Sequence, residues 1–174
     1  MIFKFRIILD ILDDVFRDIE IRDSDTLEDF HNAITQAFGF DGTEMASFYK
    51  SDDEWNQGEE FLLFDMSEGQ KSVRMMNETA LDTVFSRENT KMIYVYDFFN
   101  MWTFYVELAD ITEAQDGQDY PNLMFAQGHL PEHPPEKEFT AEKLDELNDD
   151  SFDDGFDDQD FESLDDFDFD QNWN

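Results

Sequence analysis

Cysteine is absent from all 174 residues, which excludes disulfides, thiolate metal sites and thiol nucleophiles and agrees with a reducing compartment. Basic residues are scarce: 11 Lys and Arg stand against 45 Asp and Glu, for a formal net charge of -34. A summed field of that sign repels DNA, RNA and anionic membrane and favours a basic protein surface as partner. No apolar run approaches the roughly 20 residues that a membrane helix needs. The opening MIFKFRIILDIL is broken by Lys4, Arg6 and Asp10, has no small-residue cleavage site and alternates as a strand does, so it does not read as a signal peptide. A cytoplasmic protein with no direct contact to nucleic acid or membrane is expected.

What is present is apolar and aromatic. At 40% hydrophobic and 16% aromatic residues the chain is too apolar for wholesale disorder, and its length suits one domain with an appendage. Residues 2 to 11 place Phe3, Phe5, Ile7, Leu9 and Ile11 on one face. Residues 15 to 22 set Val15, Arg17, Ile19 and Ile21 opposite Phe16, Asp18, Glu20 and Arg22, with Leu12, Asp13 and Asp14 between the two runs as a hairpin connection. Asp25 and Glu28 have capping-box spacing before Leu27, Phe30, His31, Ile34 and Phe38 at helical spacing, and Gly39 stands at the C-cap, so a helix is expected over 26 to 38. Strands follow at 45 to 50 and 60 to 65, then a short helix near 79 to 86 capped by Thr79 with Leu81, Val84 and Phe85 inward. An aromatic hairpin closes the series: Tyr94 and Tyr96 alternate against Val95, and Trp102, Phe104, Val106 and Leu108 against Thr103, Tyr105 and Glu107, around a tight turn at Phe99 and Asn100. The expected fold class is α+β, a mixed β-sheet with a β-grasp-like hairpin-helix opening and an aromatic hairpin.

Order weakens after about residue 113, and from Asp145 the composition shifts. Fourteen Asp or Glu and no Lys or Arg fall in the last thirty residues, interleaved with Phe152, Phe156, Phe161, Leu164, Phe167, Phe169 and Trp173 at no steady period. Such a stretch repels itself and is expected to be disordered when alone.

Several motifs suggest chemistry and fall short of it. His129, Glu132 and His133 have the H-x-x-E-H spacing of a zinc-peptidase class, in which two His one helical turn apart face the same metal. Pro131 between them, with Pro134 and Pro135 following, opposes that helix and leaves a proline-stiffened surface segment as the expectation. MSEGQKS at 66 to 72 echoes a phosphate loop, yet Asp65 and Gln70 occupy its glycine positions. DSFDDGFDDQDFE in the tail resembles a calcium loop, but Phe152 and Phe161 replace oxygen ligands and Glu162 comes one residue late. His31 lies on the apolar helical face as a core or boundary histidine with no visible partner, and no G-x-S-x-G occurs. Trp102, Tyr94 and Tyr96 read as packing residues, with a small-molecule pocket lined by Asp97, Trp102 and Tyr94 as the minority alternative. No metal or other cofactor and no catalytic residue is expected.

VFRDIEI at 15 to 21, TLEDFHNAITQAFGF at 26 to 40, YVYDFFNMW at 94 to 102 and the G-x-x-P-E run at 128 to 132 together resemble the plasmid pRiA4b ORF-3-like family. The resemblance covers about residues 1 to 136 and implies a compact α+β domain and association with mobile elements, with no established reaction. Departures from the family pattern stand at Phe99 and Asn100, where a Tyr-Asp-Phe-Gly-Asp turn usually precedes the Trp, and at Glu44, where a His commonly follows the helix. Residues 137 to 174 fall outside the resemblance as an acidic aromatic-rich tail.

The function expected is therefore a non-enzymatic protein-interaction module. Its acidic surface and tail bind a basic partner, with Phe152, Phe156, Phe161, Phe167, Phe169 and Trp173 as anchors. A small hydrolase or nucleic-acid-processing accessory enzyme of a mobile element is the alternative, and nucleic-acid mimicry a further one.

Overall fold

The structure is a computed structural model that describes residues 1–66 and 73–134. Within them the chain runs β1 (Ile2–Leu9), β2 (Phe16–Arg22), α1 (Leu27–Phe38), β3 (Ala46–Ser51), β4 (Gln57–Leu62), β5 (Arg74–Met75), β6 (Lys91–Tyr96), β7 (Trp102–Thr112) and β8 (Asn122–Gln127). The strands form one eight-stranded sheet in the order β5-β4-β3-β6-β7-β1-β2-β8, in which only β4 and β5 pair in parallel. The fold is α+β and mostly β: a mixed sheet with one helix across one face.

The alternation in the sequence is what makes the sheet two-faced. Phe3, Phe5, Ile7 and Leu9 on β1, Ile19 and Ile21 on β2, and Phe104, Val106 and Leu108 on β7 are all buried. They meet Leu27, Phe30, Ile34 and Phe38 of α1, with ring centroids 4.4 Å apart for Phe5 and Phe30 and 4.7 Å for Phe38 and Phe104. Each such Phe contributes roughly 1.5 to 3 kcal/mol by its burial. Tyr94, Tyr96, Trp102 and Phe104 anchor the β6–β7 hairpin in the same core.

Several local expectations shift. The helix is capped by Thr26, not Asp25: the Thr26 hydroxyl accepts from the Asp29 amide at 3.2 Å and the Asp29 carboxylate accepts from the Thr26 amide at 2.9 Å. Gly39 ends it in the left-handed region as expected, at φ 84°. Residues 79 to 86 do not wind into one helix. Two 3₁₀ turns, Met76–Glu78 and Leu81–Thr83, flank Thr79, whose hydroxyl donates back to the Met75 carbonyl. The reason is backbone pairing: Leu27 donates to Thr79 and Leu81 to Asp25, which ties the segment to the helix entry. The aromatic hairpin is joined by five residues, 97 to 101, with Asp97 and Met101 at positive φ, and not by a two-residue turn.

The chain stays ordered past residue 113. β8 adds to the outside of β2, with a bulge where Asp18 and Ile19 of β2 face Phe125 and Leu123. Residues 129 to 134, which carry the H-x-x-E-H spacing, form no helix. The phosphate-loop-like stretch at 67 to 72, the calcium-loop-like stretch and the tail anchors Phe152, Phe156, Phe161, Phe167, Phe169 and Trp173 lie outside the described residues. No helix of the described residues is long and apolar enough to cross a membrane.

Candidate functional site

Polar groups gather where the end of β6 meets the loop after α1. Gly39 and Gly42, both at positive φ, turn that loop back over the sheet. The Tyr96 hydroxyl donates to Asp41 Oδ1 at 3.0 Å and accepts from the Gly42 amide at 3.1 Å and the Glu44 amide at 3.4 Å. Asp41 Oδ1 also accepts from the Thr43 amide and hydroxyl. These donors, Thr43 first and Tyr96 after it, hold the Asp41 carboxyl below the usual carboxylate range, while burial and Asp41 raise the Tyr96 phenol.

Beside this loop lies the 97–101 turn. The Asp97 amide donates to the Met45 carbonyl at 2.7 Å, and the Asp97 carboxylate accepts from the amides of Phe99 and Asn100 and from the Asn100 side chain. Glu44, Phe99 and Asn100 thus stand on two loops that touch. Phe99 is 93% exposed.

Two residues back along β6, Tyr94 points into the core, and its hydroxyl lies 2.6 Å from His31 Nδ1. The histidine therefore has a partner, which the sequence alone did not offer. Burial lowers the His31 pKa to about 4 and raises Tyr94 well above the ordinary phenol value, so the pair is neutral at physiological pH. At 2% exposure the imidazole is out of reach of a solute. It satisfies a buried hydroxyl and has no route to general base work in this conformation.

The residues read as a possible pocket separate into different roles. Tyr94 is sealed against His31, Trp102 packs on Phe40 with ring centroids 5.6 Å apart, and Asp97 closes its own turn. Three cavities among the described residues are lined by other side chains. One of about 400 Å³ opens on the face opposite α1 between Lys4, Arg6, Asp18, Glu107, Asp110 and Met124. One of about 170 Å³ lies against Arg87 and Leu108. Another of about 170 Å³ is a groove between α1 and β8. Among the described residues no group of three or more His, Asp and Glu could hold a metal ion.

Arg17 was legible as an inward-facing residue, but its task was not. Its guanidinium, 7% exposed, donates to the carbonyls of Phe16 at 2.8 Å, Gln127 at 2.9 Å and Ala37 at 3.0 Å and lies over the Phe38 ring. One cation thus ties the C-terminal turn of α1 to the end of β8, where carbonyl dipoles favour positive charge. β8 itself is the feature that the sequence reading missed altogether. Its residues 123 to 127 are exposed, with Leu123 at 46%, Met124 at 46% and Phe125 at 51%.

The family model described as plasmid pRiA4b ORF-3-like protein matches residues 1–173. The chain belongs to that family. The match runs beyond residue 136 and takes in the acidic stretch that the sequence resemblance had left outside. Among solved structures, this pRiA4b ORF-3-like chain is similar to a protein of unknown function, MM3350, from Methanosarcina mazei Go1. The TM-score is 0.67 at 20% identity over 85% of this chain and 82% of that one, a likeness of fold. No curated protein matches the chain.

Proposed function

We propose that this pRiA4b ORF-3-like chain is a non-enzymatic interaction module that binds a basic protein partner through its acidic surface and tail. The observation that carries the proposal is how the charges are used. Five of the eight Lys and Arg among the described residues are engaged at home: Arg6 with Asp18, Lys50 and Arg74 with Glu59, Lys91 with Asp53 and Glu107, and Arg17 with buried carbonyls. Carboxylates such as Asp13, Asp14, Asp116 and Asp119 stand exposed, and the sequence adds fourteen more after Leu144. A surface of that kind steers a basic partner and disfavours an acidic one. A cytoplasmic location and a mobile-element setting fit this role, and the β1–β2 hairpin with α1 behind it serves as a β-grasp-like support.

The test is a pull-down comparing the full chain, a truncation ending at Leu144, and a variant with Phe152, Phe156, Phe161, Phe167, Phe169 and Trp173 changed to Ser. Binding is read at 0.1 M and 1 M salt, where the Debye length falls from about 10 Å to about 3 Å. Basic proteins held by the full chain, with a salt-resistant remainder lost in the Ser variant, are the expected result. Retention of an acidic or nucleic-acid partner instead would sink the role.

A further inference from the structure

We infer that the free edge of β8 takes an extended segment of the partner as an added strand, one with an apolar centre and basic flanks. Resting on the interaction role proposed above, this assigns it a place and a mode.

β8 ends the sheet, and among the described residues no strand pairs with its outer edge. An edge strand presents a row of backbone donors and acceptors that a second chain can satisfy, and proteins ordinarily blunt such rows with charge, proline, bulges or short length. The six residues Asn122–Gln127 carry no charge and no proline. The bulge at Met124 is the single irregularity in the ladder to β2.

Both faces beside the edge suit alternate apolar side chains. On the helix side the groove of about 170 Å³ is floored by Ile19, Ala33, Ala37 and Leu123, the small alanines leaving the room. A cavity of roughly 150 Å³ accommodates benzene, so the groove takes a branched aliphatic side chain. On the opposite side Phe125 lies 5.8 Å from Phe16, a flat aromatic surface for the next side chain. In strand addition, main-chain bonds supply affinity and such alternate pockets supply specificity.

Charge complementarity selects the occupant. Asp13 and Asp14 lie at one end of β8, where Gly128 approaches the Asp14 carbonyl so closely that a Cβ would come within 2.7 Å. Asp116 and Asp119 precede the other end, and all four carboxylates are exposed. A second copy of this chain would bring a net charge of -34 to the same edge, so a segment flanked by Lys or Arg is favoured over self-association.

The test titrates the full chain with a labelled synthetic peptide of alternating valine and threonine between lysine-arginine ends. Beside it runs the same peptide N-methylated at every backbone nitrogen between its lysine-arginine ends, which keeps charge and side chains but has no main-chain donor on either edge with which to complete a ladder. The plain peptide is expected to bind at least about tenfold more tightly than the methylated one, and the double variant Leu123→Lys, Phe125→Lys to remove that difference. Both substitutions fall at exposed positions, and a thermal melt checks that the variant is folded. Equal binding of the two peptides overturns strand addition and leaves the basic-partner role standing. Failure of both peptides to bind at low salt overturns the two together. If the chain dimerises and Leu123→Lys, Phe125→Lys makes it monomeric while the peptides stay unbound, the occupant is a second copy and the assignment is wrong.

Discussion

The two edges of the sheet are built in opposite ways. β5 is two residues long, and its Arg74 lies 4.9 Å from the centre of the Phe61 ring while reaching Glu59 at 3.8 Å, so charge and brevity guard that side. β8 is three times as long, uncharged, and exposes Leu123, Met124 and Phe125. Both hang from one aromatic core under one helix, so the contrast is not a consequence of fold quality at either end. Among the described residues one edge is guarded and the other unpaired, and on the interaction role proposed above the unpaired edge is where a partner strand would add.

The comparison holds only if a single core carries both edges, and the largest effect tests that. Trp102→Ala removes a ring packed on Phe40 and is expected to cost about 3 to 5 kcal/mol in urea melts, with one cooperative transition. A near-neutral result would place the aromatic hairpin outside the core. Acidification loosens the same core. His31 titrates at about 4 when folded and near 6.5 when exposed, so as pH falls through 6.5 the unfolded chain takes up the proton first. Stability is lost from there down to about 4, by on the order of 3 kcal/mol at about 1.4 kcal/mol for each pH unit. Melts between pH 7 and 4.5 read this, and His31→Leu flattens the slope even though it strands the Tyr94 hydroxyl. An equal slope in the variant would assign the acid sensitivity to other groups.

A smaller effect is confined to the open side. Gly128→Ala forces a Cβ to within 2.7 Å of the Asp14 carbonyl and 2.9 Å of the Val15 side chain at φ 73°, with an expected cost of about 1 to 3 kcal/mol. Hydrogen exchange should quicken in β8 and leave β5 unchanged, and quickening everywhere would deny that the edge is a separable unit. Arg74→Ser at the guarded edge breaks one half-exposed ion pair and is expected to change stability by less than about 1 kcal/mol. Its informative readout is sedimentation: new self-association through β5 would show that Arg74 keeps that edge closed.

What was legible beforehand follows from the same contrast. Strands with one buried face advertise themselves by alternation, as Phe104, Val106 and Leu108 do against Tyr105 and Glu107, so β1, β2 and β7 could be read with their inward residues, whereas β6 is buried on both faces from Met92 to Tyr96 and shows only its Tyr94 and Tyr96 alternation of residue type. β8 has no buried face, its bulge breaks the period at Met124, and four consecutive apolar residues, Leu123 to Ala126, give no alternation to read. β5 is too short to carry any pattern. Helix α1 was visible through its apolar spacing and Gly39, but choosing between Asp25 and Thr26 as cap depends on which carboxylate, Glu28 or Asp29, turns back. The bond between His31 and Tyr94 joins residues 63 apart, and the carbonyls that Arg17 binds belong to Phe16, Ala37 and Gln127, pairings that only the folded sheet creates.

The open edge is tested most directly by amide hydrogen exchange of the full chain with and without the valine-threonine peptide. Exchange at residues 122 to 127 is predicted to slow severalfold on binding, while Arg74 and Met75 at the opposite edge keep their rates. If the peptide binds and the β8 amides exchange as before, the partner is held elsewhere and the contrast between the edges has no functional meaning.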